Sequence, residues 1–144
     1  THEKDQAVLT LMNIDNLIET EFECLRPEMN LGDVVKVISR SSRNVFPVVT
    51  SENKLKGVVL IDNIRNIMFR PELYSRFIVN RFMIEPPAII MNEMPMSRIM
   101  ELFDETGAWN LPVVDKKGIY LGFVSKSSIL NSYRSVLVEH FSEE

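Results

Sequence analysis

The chain has 144 residues, 45% hydrophobic and 25% charged, with five Gly, seven Pro and one Cys. This is globular composition, and the length suits one domain or two small units sharing a core. Sixteen Lys and Arg against 20 Asp and Glu give a net charge of −4, which argues against a nucleic-acid partner, since such affinity rests on neutralising phosphates.

The single Cys excludes an intrachain disulfide framework and a cysteine-built metal site, and it fits a reducing compartment. No run approaches the ~20 apolar residues of a membrane span, and no signal peptide is visible. Thr1 in place of an initiator Met suggests a piece cut from a longer chain.

In chain order, Thr1 to Gln6 is polar and linker-like, and Ala7, Val8, Leu11 and Met12 form a short helical stripe. Ile14, Leu17 and Ile18 have the i, i+3, i+4 spacing of one helical turn. A short apolar run over Phe22 to Leu25 predicts a strand, and Leu31 to about Ser39 an amphipathic helix. Val45 to Val49 is β-branched, and its Pro47 predicts a strand start or edge because Pro donates no ladder bond. Ser51-Glu52-Asn53 is turn chemistry leading into a second run, Gly57 to Ile61. A short helix over about Asn63 to Phe69 is stopped by Pro71.

The pattern then returns at an offset of 65 residues. Pro47-Val48-Val49 falls on Pro112-Val113-Val114, Gly57 on Gly122, and Glu28-Met29 on Glu93-Met94. The turn at Ile14 to Ile18 falls on Val79 to Met83, where the next unit begins. Strands are expected at Ala88 to Met91, Leu111 to Val114 and Gly122 to Val124, with a helix at Met96 to about Thr106 and a longer one with Ile129, Tyr133, Val136, Leu137 and Phe141 on one face. Each unit is therefore β-α-β-β-α, an α/β (α+β) fold. One copy alone leaves too much apolar surface exposed, so the two copies are expected to pack sheet to sheet.

Catalytic chemistry is sparse. His2 and His140 lie outside the repeats, with no ligand spacing for a metal, and no nucleophile motif or Gly-rich phosphate loop occurs. Cys24 sits in an apolar run as a small core hydrophobe. We expect no catalytic residue, no metal and no enzyme activity.

The strand-to-helix corner at Ser125-Lys126-Ser127-Ser128 is different. Ser125 can cap the helix, and free amides, two further hydroxyls and Lys126 suit an anion or a sugar hydroxyl. A capped helix with nothing bound explains the same residues. At the matching corner Leu60 cannot cap, and Asp62 repels phosphate.

A duplicated β-α-β-β-α unit carrying Pro-Val-Val, a turn and Gly-h-h-(Thr/Ser)-x-x-(Asp)-h resembles the CBS domain, and the pair resembles a Bateman module. The likeness covers about Ile14 to Phe141. It implies a first CBS domain over 14–72, a linker over 73–78, a second CBS domain over 79–141 and a tail over 142–144. It also implies a homodimer with adenine nucleotides (ATP, ADP or AMP) in clefts between the units, and no required cofactor. The family's Thr/Ser position falls on Leu60 and Ser125, and its ribose-binding Asp on Asn63 and Ser128. Adenine contacts in the family precede Pro-Val-Val, here Arg43 to Phe46 and Ala108 to Leu111. The better cleft would combine Asn44, Val45 and Phe46 with Ser125, Lys126 and Ser128. A weaker one would use Asn63, Trp109, Asn110 and Leu111.

Residues 1–13, with Asp15 to Glu19, are similar to the connector that follows the membrane part of bacterial chloride channels of the CLC family. That resemblance implies a cytoplasmic regulatory domain of a chloride channel or chloride/proton exchanger, on the cytoplasmic side of the plasma membrane. Its partner would be its own N-terminal transmembrane chloride-transport domain. The alternatives are a CBS pair of another host, such as a divalent-metal transporter or a nucleotide-metabolising enzyme, or a ligand-free dimerisation module. Arg65, Arg70, Arg76 and Arg81, interleaved with Phe69, Tyr74, Phe77 and Phe82, suit either a solvated linker with its aromatics in the core or a face toward anionic lipid.

Overall fold

Apolar periodicity and two short β-branched runs per repeat lead to a mixed helix-and-strand chain. The computed structural model describes residues 2–141; Thr1 and the expected tail over 142–144 lie outside the described residues. Helix α1 (His2–Leu11) is followed by a 3-10 turn (Ile14–Leu17), α2 (Leu31–Ser39), β1 (Val45–Val49) and β2 (Leu55–Leu60). Next come α3 (Ile61–Ile64), a 3-10 turn (Pro71–Leu73), α4 (Val79–Phe82), β3 (Ile90–Met91) and α5 (Met96–Thr106). The chain ends with β4 (Asn110–Val114), β5 (Tyr120–Ser125) and α6 (Lys126–Phe141).

The chain forms two compact units that are not simple sequence halves. The first-repeat unit holds residues 21–86 and 118–120, and the second-repeat unit holds residues 2–20, 87–117 and 121–141. Each repeat thus gives its leading turn to the other repeat's unit. Ile14 packs with the core of the second repeat, and Val79 with the core of the first.

In the first-repeat unit β1 and β2 are antiparallel, from Val45 opposite Leu60 to Val49 opposite Leu55. Leu25 adds a parallel bridge to Val48 on one side, and Ile84 an antiparallel bridge to Val58 on the other. Phe46, Val48, Val59, Leu31, Val34 and Ile64 fill the core beneath α2. In the second-repeat unit β3 runs parallel to β4, β4 pairs β5, and Glu19 bridges Phe123. Ile99, Phe103, Leu111, Val113, Val124 and Ile129 fill that core. The bridges at Leu25–Val48 and Ile84–Val58 recur at the same offset of 65 as Ile90–Val113 and, with the leading segments exchanged, Glu19–Phe123.

Three expectations are corrected. Pro47 is the third of five residues in β1, not a start or an edge. Val58, its partner, sends both N–H and C=O to Ile84, at 2.9 and 2.8 Å, so this is a non-hydrogen-bonded pair and β2 asks no donor of Pro47. The ring nitrogen instead faces the Phe22 to Leu25 run. That run is in turn no strand. It meets β1 only through Leu25, whose N–H donates to the Pro47 carbonyl at 2.8 Å. A Pro in place of a donor shortens that pairing. The first closing helix is a single turn, Ile61–Ile64, rather than one reaching Phe69; Leu60 at its start makes no cap.

Candidate functional site

The corner between β5 and α6 is built by its own serines. The Ser128 N–H donates to Ser125 Oγ at 3.1 Å, which caps α6 as expected. The Ser125 hydroxyl donates in turn to Ser128 Oγ at 2.7 Å and lies 3.3 Å from Ser127 Oγ. The Lys126 N–H donates to the Trp109 carbonyl at 2.8 Å, fastening the corner to the residue before β4. Lys126 Nζ lies 5.5 Å from the centre of the Trp109 ring and 3.9 Å from Asp104 Oδ1. Trp109 itself is 68% exposed.

An indole face open to solvent, a cation beside it and a row of hydroxyls therefore share one end of the second-repeat unit. Trp109 and Lys126, assigned to different clefts on sequence grounds, lie side by side. Asn110 is exposed at the start of β4, whereas the Leu111 side chain is wholly buried in the core.

The first-repeat corner follows the same wiring. The Ile61 N–H donates to the Asn44 carbonyl at 3.0 Å, the counterpart of the Lys126 bond to Trp109. Its chemistry differs: Asp62 is held by Arg65 at 2.7 Å, and no serine is present. Asn63 is exposed, Asn44 is exposed, Val45 is half-buried, and the Phe46 side chain is wholly buried. Any part that Phe46 or Leu111 takes in a site runs through its backbone. Asn44, Val45 and Phe46 belong to the first-repeat unit; Ser125, Lys126 and Ser128 belong to the second.

The first-repeat unit also has an open groove of about 540 Å³ between Glu21 to Glu23 and Arg40 to Arg43. The Arg43 guanidinium stacks 4.1 Å from the centre of the Phe22 ring and donates from Nε to the Glu21 carbonyl at 3.2 Å. Arg40 pairs with Glu23 at 3.2 Å. Sequence reasoning did not single out Phe22 or Arg40. They stand 18 positions apart in sequence and both line this groove, a proximity for which no local pattern exists.

Cys24 is partly buried, and burial pushes its thiol above the usual range, which leaves little thiolate. Among the described residues no group of three or more His, Cys, Asp or Glu could hold a metal ion, and no helix is long and apolar enough to cross a membrane. In the arginine segment Arg65 pairs with Asp62 and Arg70 with Glu72, while the Tyr74 hydroxyl donates to the Met68 carbonyl at 2.6 Å. Phe69, expected in the core on one reading, is 74% exposed.

Known proteins agree with this architecture. The family model for the CBS domain matches residues 14–70 and again 79–135. A CBS domain-containing protein of Dictyostelium discoideum is 25% identical over 134 residues, covering 86% of this chain and 92% of its own. The structure of CbpB in complex with c-di-AMP superposes with a TM-score of 0.78 at 18% identity, covering 99% of this chain and 97% of its own. CBSX2 in complex with AMP gives a TM-score of 0.69 at 18% identity, covering 86% and 97%. At such identities the two structures speak for the fold. The family match at both repeats, together with α-β-β-α elements that recur at one fixed offset, means that the chain belongs to the CBS-domain family and is a tandem CBS pair.

Proposed function

We propose that this CBS pair is a regulatory module whose ligand is an adenine nucleotide. The observation that carries the reading is the exposed Trp109 ring beside the Lys126 ammonium at the serine-capped corner. A purine can stack on the indole, a phosphate can pair with Lys126, and serine hydroxyls can meet ribose. Lys126 now faces Asp104, so a bound phosphate would replace that carboxylate as its counter-ion. Support also comes from CbpB and CBSX2, solved in complex with c-di-AMP and AMP.

The ribose positions are Asn63 and Ser128, where the family carries Asp. A neutral side chain forms weaker bonds to a ribose diol than a carboxylate does, so the phosphate and base contacts carry more of the affinity here. Calorimetric titration with AMP, ADP, ATP and c-di-AMP at millimolar concentration tests the reading. Saturable heat with at least one of them is expected, and no heat above dilution with any of them contradicts it.

A chloride-transport host has only the resemblance of residues 1–19 behind it. Residues 2–11 fold as a helix within the second-repeat unit, and the relatives above carry no such host in their names. We therefore propose the nucleotide-responsive module without that host, acting as a homodimer. Sedimentation equilibrium checks the assembly against the single-chain mass of 16.6 kDa.

A further inference from the structure

The two long repeat helices, α2 and α5, have differently closed amino ends. At α2, Asn30 and Asp33 form a capping box. The two amides this leaves over, Leu31 and Gly32, donate to the carbonyls of Phe77 and Tyr74 at 2.8 and 3.2 Å. Every early amide of the helix except that of Val34, which bonds back to Asn30, is thus satisfied from outside it.

Subtracting or adding the repeat offset of 65 turns these four residues into Met96 and Ser97 at α5, and Met12 and Leu9 at the end of α1. There the bonds are not made. Among the described residues neither the Met96 nor the Ser97 N–H has a partner, and Pro95 at the N-cap supplies none. A cavity of about 310 Å³ lies between the two ends, with Leu9, Thr10, Met12, Asn92, Met96 and Ser97 in its wall. Asn92 Oδ1 is buried and has no partner. The Leu9 carbonyl, which would have to move, meets only the Met12 N–H, at 3.3 Å.

The difference has a local cause. Before α4 the chain is broken at Pro71 into turns, which frees the carbonyls of Tyr74 and Phe77 to point at α2. Nothing interrupts α1 before Leu11, so Leu9 stays within its last turn and its carbonyl accepts from the Met12 N–H instead.

We infer that residues 9–13 are a strap with two positions. In the open position, seen here, α1 is helical to Leu11 and the cavity stands between the helix ends. In the closed position the last turn of α1 unwinds, and the Met12 and Leu9 carbonyls accept from the Met96 and Ser97 amides, as the Phe77 and Tyr74 carbonyls do from Leu31 and Gly32. Closing exchanges terminal helix bonds of α1 for two bonds to amides that now have none. A change that weakens the last turn of α1 therefore favours the closed position.

Amide hydrogen exchange followed by NMR on the full chain tests this. Leu11 is 53% exposed, so Leu11→Pro unwinds the last turn of α1 at little cost to the core. The Met96 and Ser97 amides are expected to exchange at least about tenfold more slowly in this variant than in the wild type, with the Phe123 amide, bonded to Glu19, still protected. Unchanged exchange at Met96 and Ser97 with Phe123 protected would overturn the strap. Should Leu11→Pro lose the Phe123 protection, Leu11→Gly weakens the same turn more gently, and the same comparison decides.

Discussion

The α-carbon of Gly122 lies against the Glu19 carbonyl so closely that a β-carbon on it would stand 2.3 Å from that oxygen. Gly57 repeats the relationship with Ile84, at 2.9 Å. In each unit the backbone of the exchanged leading segment runs beside the second hairpin strand and bonds to the residue after the glycine, Phe123 or Val58. The paired glycines at the offset of 65 are therefore the openings through which the repeats trade segments.

Gly122→Ala should cost more than about 2 kcal/mol, because backbone cannot give way as a side chain does and φ at Gly122 is +146°. Gly57→Ala should cost less: its φ is not in the left-handed region, and its second neighbour is the flexible Met83 side chain at 3.1 Å. Urea denaturation of the two variants gives the order.

Leu111→Ala and Phe46→Ala should act on stability and not on recognition. Both side chains are 0% exposed, and truncation of such groups costs about 2–5 kcal/mol. Nucleotide affinity of the folded fraction should stay within about twofold of the wild type, since neither side chain reaches the surface. Denaturation and calorimetry on the same preparations separate the two effects.

Stability should fall at alkaline pH. Burial pushes the Tyr120 phenol, 9% exposed, well above its ordinary value of 10. Below about pH 10 both folded and unfolded chains keep this proton; above it the unfolded chain releases the proton first, so stability declines by about 1.4 kcal/mol per pH unit. Cys24 acts in the same direction from its ordinary 9.0 upward. Denaturation midpoints measured from about pH 8 to about pH 11 should show this limb, and Tyr120→Phe should flatten its upper part.

Much of the fold was legible because the repeat doubles every signal. The apolar stripe over Leu31 to Ser39 and its copy over Met96 to Thr106 are the helices α2 and α5, and Ser125 caps α6. The exchange of Ile14 to Ile18 for Val79 to Met83 was not legible, since periodicity tells which face is apolar and not which core receives it. The site was read one residue at a time. Trp109 and Lys126 were both named, but their pairing depends on the bond from the Lys126 N–H to the Trp109 carbonyl, which spans 17 positions and leaves no trace in spacing. Phe46 and Leu111 look like ligand contacts by position, yet both begin a stretch of strand that is buried residue after residue, on both faces.

Trp109 is the one tryptophan of the chain, so its emission reports directly on the proposed corner. Titration with AMP, ADP, ATP and c-di-AMP should give a saturable change in Trp109 fluorescence with at least one nucleotide. Lys126→Ala should weaken that affinity by about tenfold or more, through loss of a charge-assisted contact. Unchanged emission with all four nucleotides, or an affinity indifferent to Lys126, would contradict the account.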